Sequence, residues 1–236
     1  MRKVKKILIE KKTGQKFLVK ELEDFHTNFG LIQKEELSKE TAKSTKGREF
    51  MVLDPQFSDL WENLKRGPQV MIQKDIGLIL AKTGVNKDSI VIDAGGGSGS
   101  LCLSLANVCK KVTVYENNPE HFEILAKNIN LLCLENIYLK QENIYEGITE
   151  QLVDLITLDL PEPWLVDTSC LKLGGHLVVY LPNLIQVKQF VDSTRLKVME
   201  IIELIERKWK VEGKIMRPEF EMLGHTGFMI FCRRLP

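Results

Sequence analysis

The residues best suited to chemistry lie in one short stretch, Val91-Ile92-Asp93-Ala94-Gly95-Gly96-Gly97-Ser98-Gly99-Ser100. An apolar strand ends in an acid, and glycine recurs at 95, 97 and 99 as a helix begins. Glycine there lets the backbone approach a bound molecule closely and adopt positive φ without a Cβ penalty; Gly96 carries no special requirement. The dinucleotide form of such a loop is G-x-G-x-x-G. It does not close here, because the third position is Ser100 counted from Gly95 and Cys102 counted from Gly97. A second acid, Glu116, ends the next apolar run 17 residues after Gly99, where a carboxylate accepts both hydroxyl protons of a ribose. A third strand end, Gln141-Glu142-Asn143, offers polar side chains for the amine of an adenine. A fourth ends in Leu158-Asp159-Leu160-Pro161-Glu162-Pro163-Trp164. Two prolines stiffen that loop, and an acid beside an aromatic ring suits recognition of a flat heterocycle. A proline turn in which Asp159 caps the next helix accounts for the same residues.

Positioning four strand ends side by side takes a parallel sheet. From about Trp61 the chain alternates short apolar strands with amphipathic helices, the pattern of an α/β fold. Strands are predicted at Ile90–Ile92, Val112–Tyr115, Ile137–Leu139, Leu155–Leu158 and, after a helix and a Gly174-Gly175 turn, Leu177–Tyr180. One helix carries Leu101, Leu103, Leu105 and Val108, and Pro119 opens another. Two β-rich runs, Met199–Ile205 and Phe228–Phe231, close the chain. Residues 1–60 differ: a hairpin over Val4–Ile9 and Phe17–Val19 turns at Thr13-Gly14, and a polar stretch from Gln33 to Arg48 leads to a strand, Phe50–Leu53. The expected organisation is a small β-rich N-terminal domain, 1–60, and a catalytic domain, 61–236.

Composition narrows the classes. The chain has 236 residues, 44% apolar and 28% charged, with 33 Lys+Arg against 32 Asp+Glu, which is ordinary globular usage. A net charge of +1 means that any nucleic acid is met through local patches; Lys65-Arg66, Arg233-Arg234 and the lysines of residues 1–20 are candidates. No apolar run approaches the ~18–20 residues that span a bilayer, and the charged start is not a signal peptide, so the expectation is a cytoplasmic protein without a membrane partner. Five cysteines with no CxxC pair argue against a disulfide framework or a metal site.

The loop Asp93-x-Gly95-x-Gly97-x-Gly99 resembles the first motif of S-adenosylmethionine-dependent methyltransferases. Four further segments resemble one branch of them: Lys65-Arg66-Gly67-Pro68-Gln69-Val70-Met71-Ile72-Gln73-Lys74-Asp75, the Asp159–Trp164 loop, Tyr180-Leu181-Pro182-Asn183 and Arg217-Pro218 with Gly224-His225-Thr226-Gly227-Phe228. Together they are similar to the bacterial and archaeal tRNA (adenine-N1)-methyltransferases that modify an adenine of the T-loop. The resemblance runs from about Lys65 to Arg234. It departs near Ile72-Gln73, where the family often has a large aromatic or a proline.

The resemblance implies a class I methyltransferase, Rossmann-like, with a seven-stranded sheet whose last strand is antiparallel. It implies S-adenosylmethionine as cofactor, tRNA as substrate, no metal, and a homotetramer. The intact motif and Asp159 imply a catalytic subunit. Cofactor contacts are expected from Gln69, Met71, Asp93, Gly95, Gly97, Ser98, Gly99, Ser100, Glu116, Asn117, Glu142, Asn143 and Asp159. Asp159 is the expected catalytic group, and Trp164, Tyr180, Arg217 and His225 are the expected substrate contacts. Competing readings are a methyltransferase of the same fold acting on a tetrapyrrole-like small molecule or a protein carboxylate, and a non-catalytic RNA-binding relative.

Overall fold

The structure, a computed structural model, describes residues 3–67 and 70–236. The chain forms two compact units, one built from the chain up to Lys65 together with Lys127–Cys133, the other from Arg66–Ala126 and Leu134–Pro236.

In the first unit, β1 (Lys6–Glu10), β2 (Lys16–Val19), β5 (Thr41–Lys43) and β6 (Glu49–Leu53) make an antiparallel sheet in the order β2-β1-β6-β5. A separate hairpin pairs β3 (Phe25–Thr27) with β4 (Gly30–Ile32), and α1 covers Phe57–Glu62. Strand alternation sends Phe50 and Val52 inward and leaves Glu49, Met51 and Leu53 exposed, the half-buried pattern of an antiparallel sheet. Phe50 meets Phe17 and Phe29 with ring centroids 6.1 and 6.2 Å apart, over a core of Leu8, Val19, Ile32, Leu37 and Ala42. One acid is buried here: Glu10 is 1% exposed and accepts from Arg48 at 2.9 Å and from the Thr13 hydroxyl at 2.7 Å. Arg48 foremost holds its carboxyl down at about 2. The polar stretch 33–48 is more ordered than its composition suggests, with a 3-10 turn at Lys34–Ser38 as well as β5.

The second unit contains β7 (Ile90–Ala94), β8 (Lys111–Tyr115), β9 (Ile137–Lys140), β10 (Val153–Leu158), β11 (Leu171–Leu181), β12 (Lys197–Glu203) and β15 (Phe228–Arg233) in one sheet, ordered β12-β15-β11-β10-β7-β8-β9. Neighbours from β11 to β9 are parallel, while β15 runs antiparallel to both β11 and β12. This is the seven-stranded α/β sheet expected of a class I methyltransferase. Helices α2 (Gln73–Thr83), α3 (Ser100–Ala106), α4 (Pro119–Leu132) and α5 (Leu184–Ser193) follow or precede these strands, and β13 (Trp209–Glu212) pairs with β14 (Ile215–Pro218) in a hairpin the sequence pattern does not announce.

Three local expectations are corrected. No α-helix separates β10 from β11; a single 3-10 turn at Pro163–Leu165 stands there, because Pro161 and Pro163 lack the amide donors a longer helix needs. Gly174-Gly175 is not a turn ahead of the strand but part of β11, whose pairing to β10 shifts register there. The helix after the glycine loop ends at Ala106, so Val108 lies beyond it and is exposed.

Phe50→Ala should lower stability by about 3–5 kcal/mol, the usual result of emptying a packed aromatic site. Urea denaturation of the full chain, followed by circular dichroism, checks this as an earlier first transition.

Candidate functional site

The site lies at the carboxyl ends of the central strands, where open α/β sheets place ligands. Strands β7 and β10 pair with Asp93 opposite Thr157 and Ala94 opposite Leu158, so the two following loops leave the sheet side by side. The Asp159 amide donates to the Ala94 carbonyl at 3.0 Å. Gly95 has φ +82°, and a Cβ there would sit 2.2 Å from the Asp159 carbonyl oxygen. Only glycine permits that approach. Gly96 is also constrained, contrary to its unremarkable look in the sequence: a Cβ would come within 2.5 Å of Val114 Cγ1 and 2.9 Å of Leu125 Cδ2. Gly99 is the residue before α3 and packs against Leu125 and Leu103.

Acids converge on this loop. Asp93 is 2% exposed and accepts a 2.5 Å hydrogen bond from the Thr157 hydroxyl. Burial pushes its carboxyl up to about 7; the Thr157 bond opposes this, and the charges of Asp159 and Glu116 add to it. Asp159 is itself exposed to solvent, and the atoms packed round its carboxyl push its pKa upward. Glu116, 5% exposed, takes the Gly97 amide on one oxygen and the Asn118 amide on the other, each at 2.8 Å. Glu116 thus braces the glycine loop from the next strand.

Among the described residues, three cavities adjoin along these strand ends. A narrow one is lined by Val70, Met71, Asp93, Gly95, Gly96, Gly97, Ser98, Ser100, Leu101 and Asp159. A second, of about 160 Å³, is lined by Gly95, Glu116, Asn117, Glu142, Asn143, Leu160 and Pro161, among others. The third, of about 260 Å³, lies between Met71, Ile72, Asp159, Tyr180, Pro182, Leu223, His225 and Thr226. Gly95 is common to the first two, and Asp159 to the first and third.

Most residues singled out in the sequence are therefore brought together, but not all. Gln69 lies outside the described residues. Trp164 lines none of the three cavities: it packs on the main core and borders a separate cavity with Phe190 and Arg195. Arg217 sits on β14, its guanidinium 3.9 Å over the Phe220 ring, and lines none of the three cavities. Conversely, Lys74, Asp75 and Thr226 form a buried cluster beside Tyr180 that the sequence does not single out. The available signal was spacing, since Asp75 lies one helical turn before Ile79 and both are buried.

The family described as "tRNA methyltransferase complex GCD14 subunit" matches residues 50–217. The chain belongs to this family. A tRNA (adenine(57)-N(1)/adenine(58)-N(1))-methyltransferase from Methanocaldococcus jannaschii is 30% identical, the match covering 98% of this chain and 95% of the relative. The crystal structure of a SAM-dependent O-methyltransferase from Thermotoga maritima superposes with a TM-score of 0.87 at 28% identity, covering 100% of this chain and 94% of its own. The tRNA (m1A58) methyltransferase TrmI of Aquifex aeolicus shares the fold, with a TM-score of 0.78 at 23% identity over 100% of this chain and 98% of its own. This chain of the GCD14 family is thus a class I methyltransferase, and family and fold together imply use of S-adenosylmethionine.

The residues present fit that molecule. Three carboxylates face one small region, and Asp93 holds its proton against ordinary acidity because its negative charge is poorly solvated; a positively charged guest relieves that cost. The glycine loop leaves a cradle that a Cβ at Gly95 would close. Glu116, Glu142 and Asn143 supply acceptors and an amide in the adjoining cavity. Among the described residues no cluster of His, Cys, Asp or Glu is arranged to hold a metal ion, and no helix is long and apolar enough to cross a membrane.

Gly95→Ala should weaken S-adenosylmethionine binding at least about tenfold, as a Cβ forces the two loops apart; calorimetric titration measures it. The raised carboxyl of Asp93 also sets a pH dependence. The fold retains a proton that the unfolded chain releases above pH ~4, so the unliganded second unit loses stability as pH rises from about 4 to about 7. Binding a cation favours the ionised forms, so the rise in melting temperature caused by S-adenosylmethionine should grow over the same window. Thermal melts with and without it, from pH 5 to 8, check both signs.

Proposed function

We propose that this chain transfers a methyl group from S-adenosylmethionine to N1 of an adenine in the T-loop of tRNA, giving 1-methyladenosine. The observation that carries the proposal is the position of Asp159, shared between the glycine-loop cavity and the larger cavity of Tyr180 and His225. It adds chemistry to family membership.

S-adenosylmethionine supplies a methyl group on a positively charged sulfur. Met71, Asp93, the Gly95–Ser100 loop, Glu116, Asn117, Glu142 and Asn143 are assigned to hold it. Adenine N1 already has a lone pair and needs no general base, so positioning and electrostatics carry the catalysis. Asp159, ionised, accepts a hydrogen bond from the exocyclic amine of the base. That bond orients N1 and offsets the positive charge that builds on the ring. Tyr180 and His225 form the walls of the acceptor cavity. The base is paired or stacked within a folded tRNA and has to be turned out to enter it. Trp164 and Arg217, outside the cavity, are not assigned to the base.

A catalytic domain over 61–236 with a small β-rich domain over 1–60 completes the proposal, in a cytoplasmic homo-oligomer, a tetramer by resemblance. Support for self-association is the exposed apolar set on β12 and the β13–β14 hairpin: Met199, Ile201, Trp209, Val211, Ile215 and Met216. The similarity to the O-methyltransferase of Thermotoga maritima favours a second reading, transfer to an oxygen acceptor.

Labelled methyl from S-adenosylmethionine, offered with an unmodified tRNA transcript and followed by nucleoside mass spectrometry, separates them. The expected product is 1-methyladenosine, absent when the T-loop adenines are replaced. A 2′-O-methylated nucleoside, or labelling of a small-molecule acceptor alone, would overturn the proposal. Asp159→Asn should keep cofactor affinity within about threefold yet lose turnover by about 100-fold or more; near-normal turnover would remove Asp159 from the chemistry.

A further inference from the structure

Beside the acceptor cavity lies a buried polar cluster that the methyl-transfer chemistry does not use directly. Asp75, in the first turn of α2, has a fully buried side chain, and Lys74 is 6% exposed. Lys74 Nζ donates to Asp75 Oδ1 at 2.6 Å and to Thr226 Oγ1 at 2.7 Å. The Thr226 hydroxyl donates to Asp75 Oδ2 at 2.9 Å, and the Tyr180 hydroxyl reaches the same oxygen at 3.4 Å. A charge this deep is costly unless it is matched. The ammonium and two hydroxyls match it, and the amino end of α2 favours an acid at this position.

The cluster ties three separate segments together. Tyr180 comes from the end of β11, Thr226 from the segment before β15, and Asp75 from α2, each joined across more than a hundred residues of chain. The segment of Thr226 is held on either side as well. His225 Nδ1 faces Glu203 Oε1 at 2.5 Å, and its Nε2 faces the Pro182 carbonyl at 2.9 Å. Both partners offer acceptor oxygens, an arrangement that suits a ring protonated on both nitrogens, and the Glu203 hydrogen bond shifts the imidazole pKa upward. Gly227 lies on the Tyr180 ring so closely that a Cβ would be 2.5 Å from Cζ. Tyr180 thus has a bare backbone against its ring face, while its hydroxyl lies beside Thr226 and 3.4 Å from Asp75 Oδ2.

We infer that Asp75 is a positioning residue for the methyl acceptor: it holds the Tyr180 hydroxyl and, through Thr226, the His225–Gly227 segment in the arrangement that receives the base. The inference rests on the methyl-transfer function proposed above. A phenol has one proton. With that proton turned inward to Asp75, the Tyr180 oxygen meets the cavity with lone pairs only. Asp159 also presents an acceptor, so the pocket is polarised to hold a base by its amine.

The test is a double-mutant cycle on kcat/KM for tRNA, with Asp75→Asn, Tyr180→Phe and the double variant, together with cofactor affinity by calorimetry. Asp75→Asn should lower kcat/KM for tRNA by about 10- to 100-fold and leave S-adenosylmethionine affinity within about threefold. If Asp75 acts through Tyr180, the double variant is at most about threefold worse than the worse single variant. Thr226→Val breaks the link with little change in volume; it takes the place of Asp75→Asn in the same cycle if that variant does not fold. Losses that multiply in the double variant, or an Asp75→Asn enzyme within threefold of wild type, overturn the inference. A wild-type chain that binds S-adenosylmethionine but leaves tRNA unmodified overturns the functional proposal and the inference with it. A wild-type chain that methylates tRNA while the losses multiply overturns the inference alone.

Discussion

The contact between Gly95 and the main chain of Asp159 governs the site. The two loops touch backbone to backbone, with no room for a Cβ between them. Close packing leaves little slack for a side chain to be accommodated by movement. This approach follows from placing β7 beside β10, strands far apart in sequence but paired in register through Asp93 and Thr157. It sets Asp159 at the junction of two cavities instead of inside either one. A group in that position addresses the molecule on one side and its reaction partner on the other.

Electrostatics follows from the same crowding. Asp93, Glu116 and Asp159 end three neighbouring strands, and bringing their charges together in a poorly hydrated place is unfavourable. The molecule tolerates this in two ways. Amides and a hydroxyl take up oxygens of Glu116 and Asp93, and burial pushes the Asp93 carboxyl toward keeping a proton it would otherwise shed. A positively charged guest would relieve the cost of charge on Asp93, which gives this place affinity for a cation.

Legibility of these features in the sequence depended on range. The strands that end in Asp93, Glu116 and Asp159 were readable because each acid closes a short apolar run, a pattern local to a few residues. The glycine loop was readable for the same reason, although the constraint on Gly96 comes from Val114 and Leu125, which no local pattern reveals. Trp164 was misplaced because a stiff proline loop with an aromatic ring looks the same whether the ring faces a ligand or the core; here it packs on the core. Arg217 was misplaced because the hairpin that carries it has no clear strand pattern and turns the guanidinium onto Phe220. Asp75 was overlooked because an acid in the first turn of a helix is ordinarily solvated. Its burial depends on Thr226, 151 residues further on.

These separations also set how much chain each contact has to close. The brace from Gly97 to Glu116 closes 19 residues of chain, and the bond from Thr157 to Asp93 closes 64. The links from Asp75 to Tyr180 and to Thr226 close 105 and 151. Longer closures cost more chain entropy before any contact repays it, and long-range pairing slows folding. Strand β12 joins the sheet only through β15, so that side of the sheet waits for the last strand to arrive. The glycine-loop pocket is thus built from the shorter closures, and the acceptor cavity depends on the longest ones in the site.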